Sequence, residues 1–324
     1  ELVKFLRECV IHGIEHISEE PSRILGDRLA SFRDVMIQDS TIIRLHKSLA
    51  DKWPATRSRK VAAGVKVAFL TSAIANSPKS ISILPENTND VKTLKIGPWV
   101  KDIILLIDLG FYKYQLFSRI VENGGSFVSR LKSNANPLIV GTNQVRNTRG
   151  IDLNGKHLKD IKLEKSDDIF DVNVEASFDR RSYRGESKKD TKIFRLVAIY
   201  NPEAEEHHFY LTNISPDILN ASEIAAVYSG RWEVELIFKE LKSRYALDQI
   251  TTKSPYAIEA LIWVSILTLL VSRKLYSIVR KLNPGAKMVR FTQLRWSSIF
   301  VQNSSHLLSA ILDYLGIEHD FSTV

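Results

Sequence analysis

Apolar positions recur at helical spacing through residues 2 to 17, where Leu2, Phe5, Leu6, Val10 and Ile14 share a face. Residues 22 to 34, behind Pro21, read as a second helix. The pattern then turns to β-type. "DVMIQDST", 34 to 41, predicts a short strand ending at Asp39 and two hydroxyl residues, followed by a helical stretch with Ile42, Ile43 and Leu45. Alternation over 64 to 71, "GVKVAFLT", and over 80 to 87, "SISILPEN", predicts two more strands, the second stopped by Pro85. The continuous apolar run "IILLID", 103 to 108, fits a strand buried on both faces and stopped by an aspartate. A helix over 112 to 122 and a strand over 126 to 132, "SFVSRLK", follow.

Beyond Asn136-Pro137 the chain becomes polar and charged, with β alternation in "DVNVEASF" (171–178) and "FRLVAIY" (194–200). "HFYLTNI", 208 to 214, returns to apolar strand character, and helices are predicted over 222–246, 255–282 and about 291–314. Strands and helices, then a polar β segment, then helices, imply a mixed α/β core with a late β-rich insertion.

Composition adds a direction. Apolar residues make up 44% and charged residues 25%, as in an ordinary folded chain. Lysine and arginine exceed the acids by 45 − 37 = 8, and the pI is about 9.4. Such an excess points to a polyanionic partner, nucleic acid foremost, or to a protein that is merely basic. The single cysteine, Cys9, excludes an intrachain disulfide and a thiolate zinc site, so a reducing cytosol is expected. The chain opens on Glu1, so an upstream segment is expected to be missing. Arg7 and Glu8 interrupt the opening apolar stretch, and no signal peptide is expected. "ALIWVSILTLLV", 260 to 271, ends against Arg273 and Lys274 and reads as a buried helix, too short to span a bilayer.

The segment "YSGRWEVELIFKELKSRY", 228 to 245, carries the chemistry. On one helix at about 100° per residue, Tyr228, Arg231, Glu235 and Lys242 fall in a stripe about 60° wide, and Lys239 extends it. A solvated face held by pairs such as Arg231–Glu235 at i, i+4 would look the same. Asp39 and Asp108 end strand candidates, where each alone reads equally as a turn or helix cap. Taken together, strand-end aspartates and a helix glutamate are suited to phosphodiester chemistry. Carboxylates hold magnesium, and two such ions can activate a nucleophile and neutralise charge at phosphorus.

The spacing Y-x2-R-x3-E-x6-K over Tyr228, Arg231, Glu235 and Lys242, preceded by Asp39 and Asp108 in that order, resembles the insertion-sequence DDE transposases of the IS-four type. The resemblance covers about residues 30 to 275. It implies an α/β fold: an RNase H-like mixed-sheet core flanked by helices, with a β-rich insertion before the glutamate-bearing helix. Glu235 lies 127 positions after Asp108, which leaves room for that insertion. The implied division is a helical N-terminal remnant at 1–34, a core at 35–136 and 208–282, the insertion at 137–207 and a C-terminal helical segment at 283–324. Family members usually carry a longer DNA-binding region ahead of the first aspartate.

The resemblance further implies a catalytic, metal-binding triad of Asp39, Asp108 and Glu235. It implies two Mg2+ ions, with Mn2+ able to substitute, and DNA contacts by Tyr228, Arg231 and Lys242. Lys239 on the same stripe is a further candidate contact. "DRRSYRGESKKD", 179 to 190, offers Arg180, Arg181 and Arg184 for phosphate, or is a solvated hairpin tip. The implied activity is cutting transposon ends and joining them to target DNA. The alternatives are a nuclease without strand transfer and an inactive DNA-binding remnant. The implied partners are double-stranded DNA, as terminal inverted repeats and target, and a second copy of the chain on DNA. The implied setting is a prokaryotic cytoplasm at the nucleoid, away from membranes. Members of the family stack a flipped base on an aromatic in or near the insertion. No tryptophan occurs between 133 and 217, so Phe209 or Tyr210 is the candidate substitute.

Overall fold

The computed structural model describes residues 1–17, 29–56, 62–75, 77–145, 152–165, 169–183, 186–283 and 292–318. Side chains at 145, 181–183 and 186–188 lie outside that description. The chain forms two compact units: Glu1–Ser22, Ile42–Val65 and Glu235–Val324 make one, Arg23–Thr41 and Lys66–Val234 the other.

Most of a mixed sheet of nine strands, in the order β3-β2-β1-β4-β5-β9-β8-β7-β6, belongs to the second unit. β1 (Asp34–Leu45), β4 (Ile103–Ile107) and β5 (Ser126–Arg130) are parallel neighbours. All five residues of β4 are buried, as its unbroken apolar run predicts. α2 (Tyr114–Glu122) links β4 to β5, which parallel strands require, and stacks Phe117 on Phe127 at 4.3 Å. β9 (Glu206–Thr212) runs antiparallel to β5 and to β8 (Glu186–Asn201). β7 (Ile169–Tyr183) and β6 (Leu138–Val145) continue that antiparallel half. The polar segment after Pro137 thus extends the same sheet. β2 (Ala63–Ser72) and β3 (Ser77–Pro85) complete the other edge, and β3 ends at Pro85 as read.

Several expectations need correction. The helix expected over 22–34 lies outside the described residues up to 28; 29–33 are turn, and Asp34 already opens β1. No helix follows Asp39: β1 continues to Leu45, because Thr41, Ile42 and Ile43 are β-branched and favour strand. The helix expected over 222–246 is two, α3 (Ala221–Ser229) and α4 (Trp232–Arg244). At the break, amides of Gly230, Arg231 and Glu233 each bond to the carbonyl three residues back. That tighter winding shifts the helical phase, so a stripe drawn from Tyr228 to Lys242 on one helix does not hold.

The other unit contains α1 (Leu2–Ile17), α4 from Glu235 onward, α5 (Pro255–Leu282) and α6 (Gln293–Tyr314). Gly13 lets α1 approach α5: a β-carbon there would meet Leu270 Cδ1 at 3.2 Å. α5 starts where Ser254 caps it and Pro255 fills the first turn. Its 28 residues correct the expectation of a segment too short to span; by length and composition it could cross a membrane. Its buried polar groups nonetheless mark a packed core helix: Arg273 pairs with Glu240 of α4, and the Tyr245 hydroxyl donates to Glu240 and is hydrogen-bonded to the Ser272 hydroxyl.

Candidate active site

Strand register places the two aspartates. β1 and β4 pair in parallel up to Gln38↔Ile107, so Asp39 and Asp108 occupy the next step on neighbouring strands. β4 and β5 pair up to Ile107↔Ser129, which brings Arg130 beside Asp108. Arg130 in turn pairs with Tyr210 of β9. Asp39, Asp108, Arg130 and Tyr210 therefore form a row across four strands, at spacings of about 4.8 Å. The row lies at the carboxyl ends of β4 and β5, where the pairing of β1 with β4 stops although β1 itself runs on to Leu45; open α/β sheets bind ligands at such strand ends.

Asp108 follows five buried residues and is the first of its strand to reach solvent. It precedes a short 3-10 turn, Leu109–Phe111, but its carboxylate makes no capping bond to it. The cap reading is thus removed for Asp108. Asp39 Oδ1 accepts from the Ser40 amide at 2.7 Å, and its Oδ2 faces Arg231 Nη1 at 3.5 Å.

Arg231 belongs to the junction between α3 and α4. Gly230 seats that junction: a β-carbon there would lie 3.2 Å from the Val227 carbonyl and 3.8 Å from Leu106 Cδ1 on β4. α3 is fixed at its start by a capping box between Asn220 and Glu223. Upstream, buried Arg195 holds Asp171 through two bonds and also donates to the carbonyls of Ile214 and Leu219, clamping the loop that enters α3.

Tyr228, on the last turn of α3, is buried, with its ring 5.3 Å from that of Tyr210. Burial pushes its hydroxyl pKa up to about 12, opposed by the cations of Arg231 and Arg130 and reinforced by Asp108. It therefore stays a neutral hydrogen-bond donor through the physiological range. Burial raises Tyr210 as well, against the pull of Arg130. Trp232 beside Arg231 is exposed, its ring centre 5.6 Å from the guanidinium carbon.

One unit thus brings Asp39, Asp108, Tyr228 and Arg231 together. Glu235, Lys239 and Lys242 follow on α4, within the other unit; Lys239 is exposed, Glu235 and Lys242 half-buried. Arg180 is engaged by acids, at 2.6 Å from both Glu122 and Asp190, and its pKa is raised chiefly by the Asp190 hydrogen bond. Arg184 and the Arg181 side chain lie outside the described residues, as does the basic run 57–60. Arg130 escaped the sequence reading; its only signal was a cation closing a short apolar strand, which has meaning only once strand order is known. The hard oxygens of Asp39 and Asp108 suit a divalent cation. Among the described residues, no group of three or more His, Cys, Asp or Glu gathers as a ready metal site.

Comparison with known proteins adds an independent line. Residues 30–271 match the family model described as "Transposase DDE domain". The chain is 24% identical over 274 residues to the transposase for insertion sequence element IS1151 of Clostridium perfringens, covering 76% of this chain and 58% of that protein. It is 20% identical over 282 residues to the transposase for IS231F of Bacillus thuringiensis subsp. israelensis, covering 74% and 56%. A shorter match, 37% over 73 residues, is to the putative transposase InsL for IS186A of Escherichia coli. The chain spans a little over half the length of the first two relatives.

Proposed function

The chain belongs to the DDE transposase family, and from that premise we propose that it cuts the ends of a mobile DNA element and joins them to target DNA. One observation carries the reading: parallel register sets Asp39 beside Asp108 where the β1–β4 pairing ends, with the signature residues Tyr228 and Arg231 close by.

In this reading Glu235, four residues past Arg231, completes the carboxylate set. Magnesium ions bound by Asp39, Asp108 and Glu235, replaceable by manganese, would supply an activated water and neutralise charge on the phosphate. The chain's own residues do the rest. Arg231 and Arg130 present planar guanidinium groups suited to a phosphate, and Tyr228 donates a hydroxyl proton to it. Lys239 and Lys242 supply point contacts along the duplex. The substrates are terminal inverted repeats and target duplex, held by two copies of the chain, in a prokaryotic cell at the nucleoid. The 137–207 insertion and the 1–34 and 283–324 segments flank the catalytic core in this scheme.

Incubating the protein with divalent cation, a labelled duplex carrying the element's end and a plasmid target tests the proposal. Strand breaks followed by end-to-plasmid joints are expected. Breaks without joints would make it a nuclease, and neither would make it a DNA-binding remnant. A second expectation concerns binding alone. Lys242→Ala should weaken end binding and flatten the log–log salt dependence by about 0.9 for the one lost phosphate contact. Fluorescence anisotropy across a salt series reads this, and an unchanged slope would remove Lys242 from the interface.

A further inference from the structure

Two arginine–aspartate pairs in this chain differ in kind. Arg195 and Asp171 are joined by two bonds of 2.9 and 2.6 Å, with 3% and 2% of their side chains exposed. That pair is a fixed structural clamp. Arg231 Nη1 approaches Asp39 Oδ2 at 3.5 Å, with 13% and 22% of their side chains exposed. The approach is too long for a strong hydrogen bond, yet sheltered enough for the charges to act on each other.

The rest of the surroundings also fits exchange. Both oxygens of Asp39 are engaged, Oδ1 by the Ser40 amide and Oδ2 by Arg231. Arg231 lies at the junction between α3 and α4, where its amide bonds to the Tyr228 carbonyl. Trp232, 64% exposed, already lies 5.6 Å from the guanidinium carbon, so a cation drawn off Asp39 starts beside an exposed aromatic face.

We infer that Arg231 is an exchangeable counter-ion that couples DNA binding to metal binding. Without DNA it occupies Asp39. A DNA phosphate draws the guanidinium away, and Asp39 Oδ2 becomes free to ligate a divalent cation. Linkage makes the effect reciprocal: the cation strengthens DNA binding by the same factor as DNA strengthens cation binding. The cell's divalent ions then find a complete site only where DNA is already in place, which suppresses cation binding on idle protein. The inference rests on the proposed carboxylate site and adds its regulation.

Mn2+ affinity of the full chain, read by the electron paramagnetic resonance of free Mn2+ with and without a short arbitrary duplex, tests it. The contribution of the duplex alone is subtracted. In the wild type the duplex should tighten Mn2+ binding by about 10-fold, within the usual range of coupling between sites. Arg231→Ala should bind Mn2+ without DNA about as tightly as the wild type does with it, and should lose the coupling. Arg231→Lys, which keeps the charge, should stay weak without DNA; it serves as well if the alanine variant misfolds by circular dichroism. Asp39→Asn identifies the site. If Asp39→Asn weakens Mn2+ binding while Arg231→Ala leaves the DNA-free affinity unchanged, the exchange is wrong and the metal site stands. If Asp39→Asn changes nothing, the metal site itself falls, and the exchange with it.

Discussion

Asparagine at position 108 is expected to slow divalent-dependent cleavage of the cognate end duplex by at least about 1,000-fold. The side chain keeps its size and loses its charge. A ligand charge lost beside a reacting phosphate removes several kcal/mol of stabilisation, and about 4 kcal/mol corresponds to that factor. The fold should be unaffected, because the Asp108 carboxylate caps nothing and the buried strand before it is unchanged. Single-turnover cleavage of a labelled duplex reads the rate, and anisotropy with the same duplex should show retained binding. Asp39→Asn is expected to lose activity to the same extent. Cleavage by either variant at the wild-type rate would take that residue out of the chemistry.

Loss of the Arg195 side chain is expected to give the largest fall in stability of any single change proposed here, about 3–5 kcal/mol. The reason is the charge left behind. Asp171 is 2% exposed and would keep a carboxylate with neither guanidinium bond, while the Ile214 and Leu219 carbonyls would lose a donor. A urea titration of Arg195→Ala should show the midpoint falling sharply at an unchanged slope. Replacing Arg195 and Asp171 together by apolar residues of similar size should be far milder, since no charge is then stranded. Arg180→Ala, whose pair with Asp190 and Glu122 is on the surface, should move the midpoint little. Equal falls for Arg180→Ala and Arg195→Ala would refute the burial argument.

What the sequence disclosed follows from which signals are local. "IILLID" announced a buried strand and its terminal acid, because both lie within six consecutive residues. The same holds for the strand stopped at Pro85 and for the helix over 255–282. Asp39 was placed at a strand end, whereas β1 runs on to Leu45; what ends there is the pairing with β4. Only the partner strand makes that position an edge. The break at Gly230 was hidden because apolar periodicity resumes after it, and a lone glycine is tolerated inside helices. Arg130 and Tyr210 enter the row only through the strand order β4-β5-β9, which no periodicity encodes. Arg195 and Asp171 stand in a segment read only as polar and charged, and only their mutual pairing makes their burial tolerable.

The proposed chemistry requires the α4 glutamate to act with the two strand aspartates on one phosphodiester. Single-turnover cleavage by Glu235→Gln, at saturating duplex and Mg2+ and beside Asp108→Asn, tests it most directly. Both variants are expected to bind the duplex, and Glu235→Gln to fall by as much as Asp108→Asn, about 1,000-fold or more. Cleavage by Glu235→Gln at the wild-type rate would contradict it.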